Sequence, residues 1–238
     1  MRTTLEACYF FNGIFKIKRS KFCNNSVSHG DLIFSYSSTA IIKQSAFKNN
    51  IGQQRVLYFS SSRVTINISE FYNNNVGYGS VVTSSSSYMS IKGNTFDYNS
   101  GIALEVINSN SIIDQSTFKH NIGAALLISA NTKVRVTTSE FEDNRKAGST
   151  RQCIDQRLVL GCNGSTTQLI NCNFTNNRSP VIAAFDSVIE YFASLLIMNN
   201  TAENEYAVIH LYNSEFIGHD SGNATIYIKQ YEVISGIF

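Results

Sequence analysis

A single phrase recurs along this chain at a near-constant step: a small polar residue, any residue, Phe, two residues, then Asn. It reads Ser20-Lys21-Phe22-Cys23-Asn24-Asn25, Ser45-Ala46-Phe47-Lys48-Asn49-Asn50 and Ser69-Glu70-Phe71-Tyr72-Asn73-Asn74, and it returns around Phe96, Phe118, Phe141 and Phe174. The phenylalanines at 22, 47, 71, 96, 118 and 141 set a step of 22–25 residues. Self-similarity at a fixed period of that size marks a solenoid, in which each repeat buries its apolar side only by stacking on its neighbours.

Aligning the repeats on their Phe exposes the columns. Five residues before it stand Ile17, Ile42, Ile66, Ile91, Ile113, Val136 and Leu169; fourteen before it stand Cys8, Ile33, Leu57, Val82, Leu104, Leu127 and Leu160. Columns so uniformly apolar face a common interior, where each large side chain is worth about 1.5–3 kcal/mol. One place away the residues turn polar: Lys18, Lys43, Asn67, Lys92, Asp114 and Thr137 stand four before the Phe, and Lys21, Ala46, Glu70, Thr95, Thr117 and Glu140 one before it. Alternation of this kind is the strand period. Serine- and asparagine-rich corners such as Ser60-Ser61-Ser62 separate the strands.

A coil of about two dozen residues exceeds the six-residue sides of left-handed prisms and lacks the helix of leucine-rich repeats. It predicts an all-β fold, a right-handed parallel β-helix of about 8–9 coils, roughly 40 Å long at the usual strand spacing. The Asn closing the phrase (Asn25, Asn50, Asn74, Asn99, Asn121, Asn144, Asn177) is expected to stack on itself, since an amide both donates and accepts. It is also expected to supply the left-handed backbone of a tight corner. Residues 1–238 are read as a single β-helix domain with long loops over about 145–156 and 213–223, and as a piece of a larger protein. Ile197 and Asn200 mark an eighth coil, and strands are expected at 207–211 and 224–228.

The phrase, followed by Gly101-Ile102-Ala103-Leu104 or Gly123-Ala124-Ala125-Leu126, resembles the repeats of polymorphic outer-membrane proteins. It is similar more broadly to the right-handed β-helix, pectin-lyase-like families, over about residues 15–200. Ala124 and Ile102 stand where the outer-membrane repeat has a second Gly. The resemblance implies a non-catalytic, adhesin-like binding or display module at the cell surface or outside the cell. A carbohydrate-active β-helix, lyase, hydrolase or glycan binder working through its loops, is the alternative.

The chemistry-bearing residues are sparse. Glycoside cleavage needs two carboxyls at a set separation, but Glu70, Asp97, Asp114, Glu140, Glu142 and Asp143 fall in different columns. Gly218-His219-Asp220-Ser221-Gly222 is the most catalytic-looking word, and equally an ordinary turn. His29, His120 and His210 stand alone, without a metal partner at a usual spacing. No catalytic, metal or cofactor site is therefore assigned. Cys8, Cys162 and Cys172 occupy inward places and read as buried thiols, with Cys162 in the column of Ser35, Phe59, Ser84 and Ser129. Cys23 and Cys153 read as exposed, and a Cys153–Cys162 pairing stays open. Sequons at Asn24, Asn67, Asn163, Asn173, Asn177, Asn199 and Asn223 are as many as an Asn- and Ser-rich chain produces by chance.

A net charge of +2 with 15% charged residues, and a lysine column at 18, 43 and 92 interrupted by Asn67 and Asp114, argue against a nucleic-acid partner. No apolar run is long enough to span a bilayer, and residues 1–15, with Glu6, do not read as a signal peptide. The expected partner is a protein or glycan on an exposed face or loop, with end-to-end self-association through uncapped terminal coils.

Overall fold

The computed structural model describes residues 8–145, 158–201, 209–212, 215–219 and 225–229. The chain winds as an all-β solenoid in which every strand pairs in parallel with the equivalent strand of the next turn. The first face holds Cys8–Phe11, Asp31–Tyr36, Arg55–Ser60, Asn75–Ser85, Ser100–Ile107, Leu126–Ser129, Leu160–Asn163, Ile182–Phe185 and Ile209–Tyr212. The second begins with Ile14–Lys18, Thr39–Lys43, Arg63–Asn67 and Tyr88–Lys92; the third begins with Lys21–Cys23, Ala46–Lys48 and Glu70–Tyr72. Further along, Thr166–Thr175 and Val188–Met198 run through the corner between second and third faces as continuous strands.

Corners are made by left-handed residues, single at all but one of them and three to a turn: Asn12, Arg19 and Asn24, then Ser37, Gln44 and Asn49, and so on up the stack. Among the described residues seven turns carry the full set, with Asp186 and Asn199 in an eighth, against the eight or nine coils expected. Beyond them Val188–Met198 still pairs with Glu215–His219 and Thr225–Lys229. Glu215–His219 is thus a strand, where a loop over 213–223 was expected. The other expected loop, 145–156, lies outside the described residues apart from Arg145.

After most of these left-handed residues comes a small polar one, buried from the second turn onward, and these form ladders. In the Asn ladder, Asn74 donates both its main-chain N–H and its Nδ2 to Asn99 Oδ1, at 3.0 and 3.0 Å. A second Nδ2 bond reaches back to the Phe47 carbonyl at 2.9 Å. The pattern repeats from Asn25 to Asn200, so each inner amide meets both its donor and acceptor demands. The left-handed residue is the one before the ladder Asn (Asn49, Asn73, Tyr98, His120), not the ladder Asn itself. Accepting amide and bent backbone are separate duties at adjacent positions.

Inside, the Phe column stacks: Phe22, Phe47, Phe71, Phe96, Phe118, Phe141 and Phe174 lie 4.6–5.1 Å apart between centroids and within 9° of parallel. From Phe47 onward they are fully buried. Parallel strand pairing imposes that geometry, because equivalent residues sit directly above one another at the strand spacing. The Ile17–Leu169 column is in register throughout. The other apolar column needs one correction. Leu104 pairs with Leu126, not Leu127, and Leu126 with Leu160. The cause is one extra residue at the next corner, where Ala130 and Asn131 are both left-handed. Leu127 is displaced into a small separate cluster with Ile102 and Ala124, and Cys162 stacks on Ile128 rather than Ser129.

Candidate functional site

Strand alternation turns Ile33 and Ser35 of Asp31–Tyr36 inward and Phe34 and Tyr36 outward. Because Tyr9, Phe34 and Tyr58 share one register position, and Phe11 and Tyr36 another, the first face carries an outward ladder of rings at one end. Tyr9 and Phe34 are 5.3 Å apart edge to face, Phe34 and Tyr58 5.3 Å, and Phe11 and Tyr36 6.2 Å. Tyr9, Phe11 and Tyr36 are 53%, 57% and 43% exposed, so this is solvent-facing aromatic surface and not core. Exposed contiguous apolar surface on a folded protein marks an interaction site more often than chance.

The ladder has polar company. Arg55 lies 4.0 Å over the Tyr58 ring and 3.6 Å from Asp31, whose carboxylate is almost wholly buried. Ring and carboxylate together fix the guanidinium beside the aromatic strip. Further along the same column come Thr83 and Glu105. Glu105 Oε2 accepts hydrogen bonds from Ser80 Oγ at 2.7 Å and Thr83 Oγ1 at 3.1 Å. Rings that give area at low entropic cost, flanked by oriented donors and acceptors, make a binding surface.

Most acids weighed for chemistry are tied to lysines on the outer faces: Glu70 with Lys48 at 2.7 Å, Asp114 with Lys92 at 2.9 Å, Glu142 and Glu140 with Lys119 at 2.7 and 3.5 Å. The Lys92 bond holds the Asp114 carboxyl below its usual range, and the Glu142 bond raises Lys119. His120 is not alone. Its Nδ1 is 2.8 Å from Asp97 and its Nε2 3.8 Å from Asp143, and the ring stacks on Tyr98 at 4.5 Å. Three successive turns supply this group, which is why spacing along the sequence hides it. His29 is exposed. His210 falls in Ile209–Tyr212, and Gly218 and His219 end Glu215–His219; the rest of the word, residues 220–222, lies outside the described residues. Among the described residues no three His, Cys, Asp or Glu side chains converge as metal ligands.

The right-handed β-helix region family matches residues 8–155, more than half of the chain. The chain belongs to the right-handed β-helix family. No curated protein matches it. Among solved structures it is similar to a trypsin-treated variant of QnrB1, a plasmid-mediated fluoroquinolone resistance protein, at 10% identity and a TM-score of 0.25, covering 89% of this chain and 90% of that one. It is also similar to HetL, a pentapeptide repeat protein of the cyanobacterium Nostoc sp. strain PCC 7120 involved in heterocyst differentiation regulation, at 5% identity and a TM-score of 0.23, covering 90% and 89%. Scores so low carry no argument about what this β-helix does.

Two cysteines of this β-helix, Cys162 and Cys172, behave as core atoms. Cys162 and Cys172 are buried and Cys23 exposed, as expected, while Cys8 is half-buried. Burial pushes each of the two buried thiols up to about 11. Cys172 Sγ lies 3.5 Å from the Ile170 carbonyl, replacing the corner serine that in Ser45 bonds the Lys43 carbonyl at 2.9 Å. Cys153 lies outside the described residues.

Proposed function

We propose that this β-helix is a non-catalytic, adhesin-like binding module acting at the cell surface or outside the cell, with the aromatic ladder of the first face as its contact surface. The observation that carries the reading is the outward stacking of Tyr9, Phe34 and Tyr58 beside exposed Phe11 and Tyr36, with Arg55 and Glu105 held at its margin. Tyrosine and arginine supply most of the energy in recognition surfaces, because they offer large rigid area with a polar tip. The rigid solenoid fixes their spacing at no further entropic cost.

The test is binding of the purified chain to arrayed neutral glycans and to a panel of extracellular-matrix proteins. The Tyr9→Ser, Phe11→Ser, Tyr36→Ser triple variant, which removes exposed rings alone, is expected to lose binding while its circular dichroism stays unchanged. Binding unaffected by the variant, or absent for both proteins, would refute the reading. A carbohydrate-active enzyme is the second reading, and His120 between Asp97 and Asp143 is what favours it. Release of reducing ends or of an unsaturated product from polysaccharide, abolished by His120→Ala, would establish that reading instead.

A further inference from the structure

The first described turn differs in cover and in charge from the turns stacked on it. Among the described residues Cys8–Phe11, Ile14–Lys18 and Lys21–Cys23 each pair on one side only. A strand paired on one side presents main-chain N–H and C=O groups along the other. The inward side chains of this turn are incompletely covered: Cys8, Phe10, Ile17 and Phe22 are partly buried, while their register partners Ile33, Ser35, Ile42 and Phe47 are wholly so. The most exposed rings of the ladder, Tyr9 and Phe11, belong to the same turn. Residues 8–30 carry Lys16, Lys18, Arg19 and Lys21, all exposed, and no Asp or Glu. With a net charge of +2 for the whole chain, everything outside this turn is net acidic. Among the described residues none of the four cations makes an ion pair. The register neighbour of Lys18 is Lys43, a further cation, and that of Lys16 is Ile41.

We propose that the partner of the first face is an extended acidic segment of another protein, which adds as a parallel strand to the open side of Cys8–Phe11 and Ile14–Lys18. The proposal deepens the first-face reading by naming the partner's chemistry, and it rests on that reading. Strand addition draws its affinity from main-chain hydrogen bonds and its specificity from alternate side chains. Inward apolar residues of the added strand would cover Cys8, Phe10, Phe15 and Ile17, as Ile33, Ser35, Ala40 and Ile42 do from the other side. Its outward apolar residues would extend the ring ladder beyond Tyr9 and Phe11. Carboxylates at its next outward places would meet Lys16 and Lys18, the two cations that the second turn answers with Ile41 and Lys43. A second copy meeting through the same end would set these lysines against their own kind, which is how edge strands avoid self-pairing. A glycan, charged or neutral, offers no row of amides to the edge and nothing to cover Phe10.

The probe is a synthetic peptide of the sequence Asp31–Lys43 carrying Ile41→Glu and Lys43→Glu, since that segment already fits the other side of the same two strands. The comparison peptide carries Ile41→Lys and keeps Lys43. The acidic peptide is expected to bind about tenfold tighter or more, with the gap closing as salt rises. Amides of the two edge strands that do not bond to the second turn should gain protection from exchange when it binds. Lys16→Gln with Lys18→Gln, which changes exposed side chains alone, should abolish the gap, and Lys133→Gln with Arg135→Gln should leave it intact. No binding of either peptide, equal affinity for the two, or the same loss in both lysine variants would overturn the proposal. So would edge amides already protected in the free chain, or self-association in sedimentation that the acidic peptide does not disturb. The aromatic triple variant separates the two readings. If it loses binding while the two peptides bind the parent equally, this proposal falls and the first-face reading stands; if it binds as the parent does, both fall.

Discussion

Replacing Asn99 by Ala should cost more than replacing most larger surface residues, although it removes only one carboxamide. Asn99 is fully buried, and its side chain makes four hydrogen bonds. Nδ2 donates to Asn121 Oδ1 at 3.1 Å and to the Phe71 carbonyl at 2.9 Å, while Oδ1 accepts from Asn74 twice. Alanine fits the backbone, since the left-handed residue of that corner is Tyr98. The loss leaves the Asn74 main-chain N–H and one of its amide protons without an acceptor, and strips a donor from the Phe71 carbonyl. Water does not reach these groups. At about 1–3 kcal/mol for each buried polar group left bare, two or three such groups give about 3–5 kcal/mol. The control is Asn73→Gly, one turn below and on the outside. Asn73 is left-handed and its bond to Asn49 at 2.9 Å is solvent-exposed; glycine keeps the backbone freedom, so the loss should stay near 0.5 kcal/mol. Urea midpoints by far-UV circular dichroism read the contrast, and amide exchange at Asn74 should accelerate in Asn99→Ala. A double-mutant cycle with Asn74→Ala should show coupling of about 0.5–3 kcal/mol. Equal midpoints for Asn99→Ala and Asn73→Gly would refute the account of the ladder.

Phe71→Ala, emptying a fully buried place between rings at 5.1 and 4.7 Å, should cost about 3–5 kcal/mol against about 0.5 for Glu70→Ala, read from the same denaturation curves. Gly123→Ala should cripple folding, read as lost soluble yield or a collapsed melting temperature. Its φ is +126° and a Cβ would sit 2.3 Å from the Gly101 carbonyl oxygen, which is main chain and does not yield. Burial raises Cys162 and Cys172 from 9.0 to about 11, so folding favours the neutral thiols. Their contribution is intact below pH 9 and is lost as pH rises from 9 to 11, by about 2–3 kcal/mol per thiol. Unfolding curves across that window should fall less steeply in Cys162→Ala with Cys172→Ser.

The coil, its Phe and Ile columns and the stacking of the Asn were legible because parallel pairing at zero offset copies a sequence column into a physical column. What failed did so where the step changed by one. The second left-handed residue at Ala130-Asn131 shifts the preceding strand relative to its Phe, so counting back from Phe141 lands on Leu127 rather than Leu126. No composition signal announces such an insertion, because a corner of small polar residues reads alike with two or three members.

The outer surface was less legible for a different reason. A solenoid face is a lattice whose one axis runs along the strand and whose other axis jumps 22–25 residues, so a surface patch is two-dimensional while a column is not. The lysines at 18, 43 and 92 look interrupted by Asn67 and Asp114 when taken alone, yet Lys16, Arg63, Lys133 and Arg135 fill neighbouring columns of the same face. Tyr9, Phe34 and Tyr58 stand thirteen residues before successive phenylalanines, and Asp97, His120 and Asp143 stand one or two after theirs. Both groups were in the alignment, in columns that carry no apolar consensus. In a β-helix the core dictates uniform columns and the surface does not, so function is written as local departures in columns the fold leaves free. That is why the architecture follows from one repeated phrase, while the aromatic ladder appears when neighbouring outward columns of one face are read together.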